Sequence, residues 1–185
     1  MTRSMKMAVG FFAVVAPLLH FVSDLMEWIA AGYSSPQLLI NYVGFLMMPF
    51  IFIGLYAVQI PRVSIGVLVA AILYGSVFVY FGHTTLYALQ ENIADYEALW
   101  FRLGPVYTIH GILMVVSGLL FAILSFGRGV LNRTGLAIFI LGITMNLVIA
   151  FLPVGDLVQI VGSSIRNLGL VIIGIGLILE KSPDV

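Results

Sequence analysis

The sequence predicts an all-α integral membrane protein, built as a bundle of six transmembrane helices. Three observations predict this fold: 62% of the 185 residues are hydrophobic, only 9% carry a charge, and the mean hydropathy is +1.16. A soluble domain of this length could not cover so much apolar surface. Because one helical crossing takes about 20 residues, the chain has room for six or seven crossings and for no separate aqueous domain.

Six apolar runs follow one another with mostly short connections. They cover residues 7–31, 38–60, 64–89, 105–126, 134–153 and 157–179. Turn-forming residues mark the connections, and Pro36 and Pro105 lie where the first turn of a helix tolerates proline. We therefore expect a single transmembrane domain over residues 1–185, with the runs numbered as spans one to six.

The one long connection, residues 90–104, joins spans three and four. It holds three acidic residues, one arginine and the aromatic residues Tyr96, Trp100 and Phe101. This mixture of polar and aromatic side chains is typical of a short amphipathic helix that lies in the lipid headgroup layer. We expect such an interfacial helix here.

The basic residues indicate the orientation of the bundle. Six of them fall on one side of a six-span arrangement: Arg3, Lys6, Arg62, Arg128, Arg133 and Lys181. Only Arg102 lies in a loop on the other side. The positive-inside rule then places both termini in the cytoplasm and the protein in the cell (inner) membrane as a multi-pass protein. The first run continues through Asp24 and Glu27 without a convincing cleavage site, so it is read as a span and not as a signal peptide.

Composition also excludes several classes of function. Eight basic and eight acidic residues cancel, which argues against a nucleic acid or an acidic polymer as partner. The chain has no cysteine, which excludes disulfides, thiolate catalysis, Cys-ligated zinc and iron–sulfur clusters. A metal site would have to use His, carboxylate, Met or Tyr ligands.

Small residues recur at intervals of seven in the later spans. Gly162, Gly169 and Gly176 repeat in span six, and pairs with the same spacing occur in two other spans: Gly111 with Gly118 and Gly135 with Gly142. Small residues at this interval let helix backbones approach closely in lipid. We expect them to mark helix–helix contacts.

The polar residues of the spans lie on stripes. In span one, His20, Asp24 and Glu27 are spaced by four and three residues and share one face. Further polar side chains occupy the other spans: Tyr80, His83 and Tyr87 in span three, Tyr107 and His110 in span four, Asn146 in span five, and Gln159, Ser163 and Arg166 in span six. Because odd spans run outward and even spans run inward, all of these fall in the outer half of the bilayer. The sequence thus predicts a polar pocket that opens outward.

The favoured hypothesis is acid–base catalysis on, or binding of, a lipid-like ligand such as an isoprenoid. Desolvated carboxyl groups beside a histidine are suited to general acid–base work of the lyase, isomerase or cyclase type. His20, Asp24 and Glu27 would be the catalytic groups, and Arg166 would hold one acid ionised. A second set of side chains would line the substrate site: Trp28, Tyr80, Tyr87, Tyr107, Asn146 and Gln159. This hypothesis requires no cofactor.

A redox or metal protein is the main alternative. His83 and His110 each have a glycine neighbour and could be the axial ligands of a b-type haem between spans three and four. In a variant, one divalent metal is bound by these two histidines, His20 and a carboxylate of span one.

Three other interpretations stay open at this stage. The same acids could be relay groups of a proton-coupled transporter, although the inner half of the bundle offers almost no polar residues for a route. The network could be purely structural, fixing helix register. The chain could also be an accessory subunit or a homo-oligomer whose pocket another chain completes. The expected partners are the lipid bilayer and, under the favoured hypothesis, a lipid-like small molecule, with no nucleic acid.

Overall fold

The computed structural model describes residues 2–128, 130–149 and 156–180, and within these ranges it contains seven α-helices and no strand. The helices are α1 Arg3–Ala30, α2 Ser35–Gln59, α3 Ile65–Gln90, α4 Tyr96–Leu103, α5 Pro105–Ser125, α6 Arg133–Ile149 and α7 Asp156–Leu179. Four of them, α1, α2, α3 and α5, and the Ile160–Leu179 part of α7 are long and apolar enough to cross a membrane. The chain is therefore all-helical where it is described, as a helical membrane protein should be.

The helices correspond to the apolar runs read from the sequence. The short helix expected between spans three and four is α4. The apolar part of α6, Arg133–Val148, is shorter than the other five, and residues 150–153 of the predicted fifth span lie outside the described residues.

Local sequence explains where several helices begin. The Thr2 Oγ1 accepts a hydrogen bond from the backbone N–H of Met5, which caps α1. The Asp95 carboxylate caps α4 by accepting from the backbone N–H of Ala98 at 2.8 Å. Prolines stand in the first turns of α2 and α5, where their missing N–H costs nothing.

The six longer helices form a closed bundle. Each packs against the next along the chain, α3 pairing with α5 across the short α4, and α7 closes the bundle by packing against α1. At one end of the closing seam, Lys6 Nζ lies 2.9 Å from Glu180 Oε2. The beginning of α1 and the end of α7 therefore lie together at one end of the bundle.

Aromatic rings fill the centre of the bundle. Phe52, Tyr74 and Phe139 are buried and in mutual ring contact, with centroids 4.1 to 6.0 Å apart. The outside is also apolar: Phe50 is 74% exposed and Ile65 68% exposed. A surface of this kind suits lipid and not water.

Two connections join at the end of the bundle opposite the Lys6–Glu180 pair. The backbone N–H of Tyr33, in the α1–α2 connection, donates to the Ala94 carbonyl in the α3–α4 connection at 2.7 Å. Gly32 has φ +152°, and a Cβ there would lie 2.8 Å from the same carbonyl oxygen. Only glycine fits this contact. It anchors α4 beside the end of α1, which carries the acidic residues of the predicted site.

Candidate functional site

Polar side chains from three helices meet inside the bundle. Six residues form this group, here called the polar cluster: His20 and Asp24 of α1, Asn41 of α2, and Ser163, Arg166 and Asn167 of α7. The structure thus brings His20 and Asp24 into contact, and it places Arg166, a third residue that the sequence singled out as catalytic, near enough for its charge to act on His20.

His20 is held in a defined orientation by its neighbours. Its Nδ1 lies 2.8 Å from Asn41 Oδ1 and 3.7 Å from Asp24 Oδ1, and its ring packs on Phe45 at 4.9 Å between centroids. An amide oxygen only accepts hydrogen bonds, so Nδ1 is the protonated nitrogen in this arrangement. In the neutral ring, Nε2 is then the nitrogen that can accept a proton.

Asp24 connects the first helix of the bundle to the last. Ser163 Oγ donates a hydrogen bond to Asp24 Oδ2 at 2.6 Å, and the same hydroxyl lies 3.0 Å from the Ile160 carbonyl. Asp24 therefore lies between a histidine and a serine. Hydrogen bonds to a carboxylate are about twice as strong as neutral ones, and this one crosses the α1–α7 seam.

Arg166 is a buried cation, with 3% of its surface exposed. Its Nη1 donates to Met114 Sδ at 3.4 Å, its Nη2 donates to Asn167 Oδ1 at 3.3 Å, and its Cζ lies 5.7 Å from the centre of the Phe78 ring. Guanidinium groups stay charged in proteins, so Arg166 is a fixed positive charge. It lies about 15 Å along the helix from the start of α7. Arg166 forms no ion pair with Asp24, because the Asp24 oxygens are directed to Ser163 and His20.

Glu27 lies at a second polar group, one turn beyond Asp24. Its charge acts on three tyrosines from other segments, Tyr33, Tyr96 and Tyr107. Tyr96 and Tyr107 share a hydrogen bond, and their rings are 5.9 Å apart. Burial, and secondly the Glu27 carboxylate, raise the pKa of Tyr33 and of Tyr96, both of which lie outside the long helices.

The tyrosine group predicts a loss of stability in alkali. In the unfolded chain, Tyr33 and Tyr96 ionise near pH 10, whereas in the folded chain both keep their protons to higher pH. The folded state then binds more protons, so its stability falls as the pH rises above about 10. We expect the double variant Tyr33→Phe with Tyr96→Phe to lose less thermal stability than the wild type between pH 9 and pH 11. Phenolate absorbance near pH 10 that is present in the folded wild type and missing in the folded double variant would contradict this.

Several predicted substrate-binding residues lie apart from the polar cluster. Trp28 is 51% exposed on α1, and its role in lining a substrate site stays a prediction. Trp28 follows Glu27 directly, and successive residues of a helix are rotated by about 100°. The Trp28 indole therefore does not lie on the same face as His20, Asp24 and Glu27. Tyr87 packs with the small apolar group around Leu38, and Asn146 is half-buried on α6. The Gln159 side chain lies outside the described residues.

The three histidines do not converge. His83 is exposed on α3, because the face of that helix packed into the bundle is the one that carries Phe78 and Phe81. His110 stacks on Tyr80 at 3.6 Å, and its Nδ1 lies 2.8 Å from the Val106 carbonyl. No group of three His or carboxylate residues that could hold a metal occurs in the described part of the chain. The described residues therefore do not form the predicted metal site of three histidines and a carboxylate, and a haem held between His83 and His110 stays a prediction.

Sequence reasoning missed two members of the polar cluster, Asn41 and Asn167. Each is an amide side chain in a strongly apolar helix, where a polar group is costly without a partner. That cost is the signal that could have identified them. Neither continues a stripe of ionisable residues, which is the pattern by which the other members were selected.

A groove lies on the outside of the bundle, away from the polar cluster. It has a volume of about 670 Å³ and is lined by Glu97, Trp100, Phe101, Gly104, Pro105, Thr108 and Ile109. Trp100 Nε1 donates to Thr108 Oγ1 at 3.0 Å across its floor, which fixes α4 on the first turns of α5. Its apolar lining differs from the charged and amide side chains of the polar cluster.

The polar cluster offers three chemical capacities at one place. His20 has a nitrogen that can take up a proton, Asp24 is a carboxylate in contact with a hydroxyl, and Arg166 is a permanent cation. A His–carboxylate pair can transfer protons, and a buried cation can hold a polar group of a ligand. In comparisons of the chain with known proteins, no family model, no curated protein and no solved structure matches it.

Proposed function

We propose that the protein is a six-span membrane protein whose polar cluster binds a lipid-like ligand and carries out acid–base chemistry on it. The single observation that carries the proposal is the His20–Asp24 pair inside an apolar bundle, with buried Arg166 near enough for its charge to act on His20. Buried charged groups are a poor device for stability, and ionisable residues in membrane helices generally mark functional sites.

Each member of the cluster has a distinct role in this proposal. His20 Nε2 takes up or gives a proton, Asp24 supports the imidazolium that forms, and Asn41 fixes the tautomer through Nδ1. Arg166 holds a polar group of the ligand. The apolar outer surface of the bundle favours a substrate that reaches the site from the lipid phase, such as an isoprenoid or a related apolar molecule.

Six crossings with both ends on the same side account best for the Lys6–Glu180 pair. An even number of crossings returns the chain to the side where it began, whereas five would leave these residues on opposite faces. The shorter α6 would then be the fifth crossing, packed between α5 and α7. Together with the positive-inside argument, this supports a cell-membrane protein with cytoplasmic termini.

Single cysteines test this topology against a background free of native cysteine. We expect Glu97→Cys, on exposed α4, to react in intact cells with a maleimide that cannot cross membranes. Arg128→Cys, in the exposed connection after α5, should react only after permeabilisation. Labelling of both from the same side would contradict the six-span arrangement.

The ligand itself is tested by extraction. Protein purified in a mild detergent is extracted with organic solvent, and the extract is analysed by mass spectrometry. We expect an apolar molecule distinct from bulk phospholipid in the wild type, and at least about tenfold less of it in Ser163→Ala, because loss of a charge-assisted hydrogen bond leaves Asp24 misdirected.

Ser164→Ala is the matched control for this experiment. The hydroxyls of Ser163 and Ser164 both lie within hydrogen-bond distance of the Ile160 carbonyl, but Ser163 is the one that donates to Asp24. The control should carry as much ligand as the wild type. An extract that contains only bulk phospholipid, or the same loss in both serine variants, would contradict the proposed function.

A further inference from the structure

Six buried side-chain polar atoms have no hydrogen-bond partner among the described residues, and three of them belong to residues that lie near one another. These three are Arg166 Nε, Asn167 Nδ2 and the Tyr74 hydroxyl. All three side chains are at least 97% buried. Unsatisfied donors are costly at such depth, and most of all on a charged group.

The three groups lie in one region. Arg166 Nη2 donates to Asn167 Oδ1, so the oxygen of that amide is used and its NH₂ group is directed elsewhere. The Phe78 ring lies near both Arg166 and Tyr74. Its centroid is 5.7 Å from Arg166 Cζ and 5.0 Å from the centroid of the Tyr74 ring. Arg166 is also close enough to Tyr74 for its charge to act on the phenol.

The chemistry of these groups is of one kind, because each can donate a hydrogen bond. A guanidinium N–H, an amide N–H and a phenol O–H around a fixed positive charge match the several lone pairs of an oxyanion. The walls around Arg166 are apolar, formed by Met114 and the Phe78 ring. Such walls favour an oxyanion that belongs to an apolar molecule over a hydrated ion.

We propose that Arg166 and Asn167, with Tyr74, receive the oxyanion headgroup of the ligand, of the kind found in a fatty-acid carboxylate. This rests on the proposed function and specifies its substrate class as an anionic lipid-like molecule. It assigns Arg166 and Asn167 to holding the headgroup and leaves proton transfer to His20 and Asp24. A small free carboxylate shares the same chemistry, and the test distinguishes the two sources.

The test measures binding to detergent-solubilised protein from which native lipid has been washed. Three probes are compared by calorimetry: laurate, dodecanol, which has the same chain without the charge, and acetate, which has the charge without the chain. We expect laurate to bind at least tenfold more tightly than either of the others. Asn167→Leu and Arg166→Lys should each weaken laurate binding about tenfold, because the first loses the amide donor and the second loses Nε. Ser164→Ala should bind laurate as the wild type does.

Each outcome decides one part of the proposal. Acetate binding as tight as laurate, and lost in the same variants, supports the oxyanion site and identifies a free anion as its source. Equal binding of laurate and dodecanol, unchanged in Asn167→Leu and Arg166→Lys, overturns the oxyanion site while the proposed lipid site stands. Binding of none of the three probes overturns the oxyanion site, and only the extraction experiment then decides the proposed function.

Discussion

Replacing Arg166 by Met is expected to abolish ligand retention while the protein stays as stable as the wild type. Arg166 makes its hydrogen bonds with Met114 and Asn167, so its removal leaves the contacts of Asp24 with Ser163 and His20 intact. An apolar side chain of similar length also removes the desolvation cost of a buried cation. We expect the free energy of unfolding to stay within about 1 kcal/mol of the wild type or to rise.

Two measurements check this expectation on the same samples: unfolding by denaturant in detergent micelles, and the amount of ligand extracted per protein. The extracted ligand should fall by about tenfold or more, equal to roughly 1.4 kcal/mol of lost binding. Arg102→Met is the matched control, since Arg102 is exposed and paired with Glu91 at 3.4 Å, and both readouts should stay unchanged. A large loss of stability with full ligand retention in Arg166→Met would show that the cation is structural.

Replacing Gly142 by Val is expected to separate α6 from α7. A Cβ at Gly142 would overlap the backbone of Arg166, with its Cα at 2.5 Å and its Cβ at 2.8 Å. Backbone atoms of a helix cannot give way without a shift of the whole helix, and α7 carries Ser163 and Arg166. We expect a loss of about 3 kcal/mol or more, because overpacking is added to β-branching in a tight seam.

Alanine variants provide the control for this packing prediction. Gly142→Ala should already lower the melting temperature, whereas Gly111→Ala should leave it unchanged or raise it, since no atom lies within 4 Å of a Cβ at Gly111. Thermal unfolding followed by circular dichroism measures both. Equal melting temperatures for the two alanine variants would contradict the close α6–α7 contact.

The helices themselves could be predicted from the sequence because lipid imposes length and composition. Runs of about 20 apolar residues have few alternatives to a helix, since every backbone polar group must be satisfied within the segment. The α1 stripe was equally readable, because spacings of four and three residues put His20, Asp24 and Glu27 on one face whatever the neighbours are.

The rotation of α3 could not be predicted in the same way. A membrane helix is apolar on all sides, so hydrophobicity does not distinguish the face in lipid from the face in the bundle. The sequence predicts that the stripe of Tyr80, His83 and Tyr87 faces the pocket, yet His83 is exposed and Phe78 and Phe81 face inward. His83 lies on the outer face of α3 because the rotation of this helix is set by packing against α2 and α5.

Glycine spacing also does not identify which face of a helix packs against a neighbouring helix. Gly142 and Gly135 lie in close backbone contact with α7, as the seven-residue pattern indicates. Gly111 has the same spacing to Gly118, but only Gly118 meets other residues, Tyr74 and Ile143. The interval predicts that a helix has a small-residue face, and the partner helix decides which glycines are used.

The most direct test of the central claim is to capture the ligand from a position in contact with the polar cluster. A photoreactive diazirine amino acid close to methionine in size is placed at Met114, which contacts Arg166, or at Leu120, which is exposed on the same helix. Illumination of cells and mass spectrometry of the adducts then identify what lies beside each position. The account predicts one dominant apolar adduct at position 114, with the mass of the extracted ligand, and mixed membrane lipids at position 120. The same mixture of membrane lipids at both positions would contradict it.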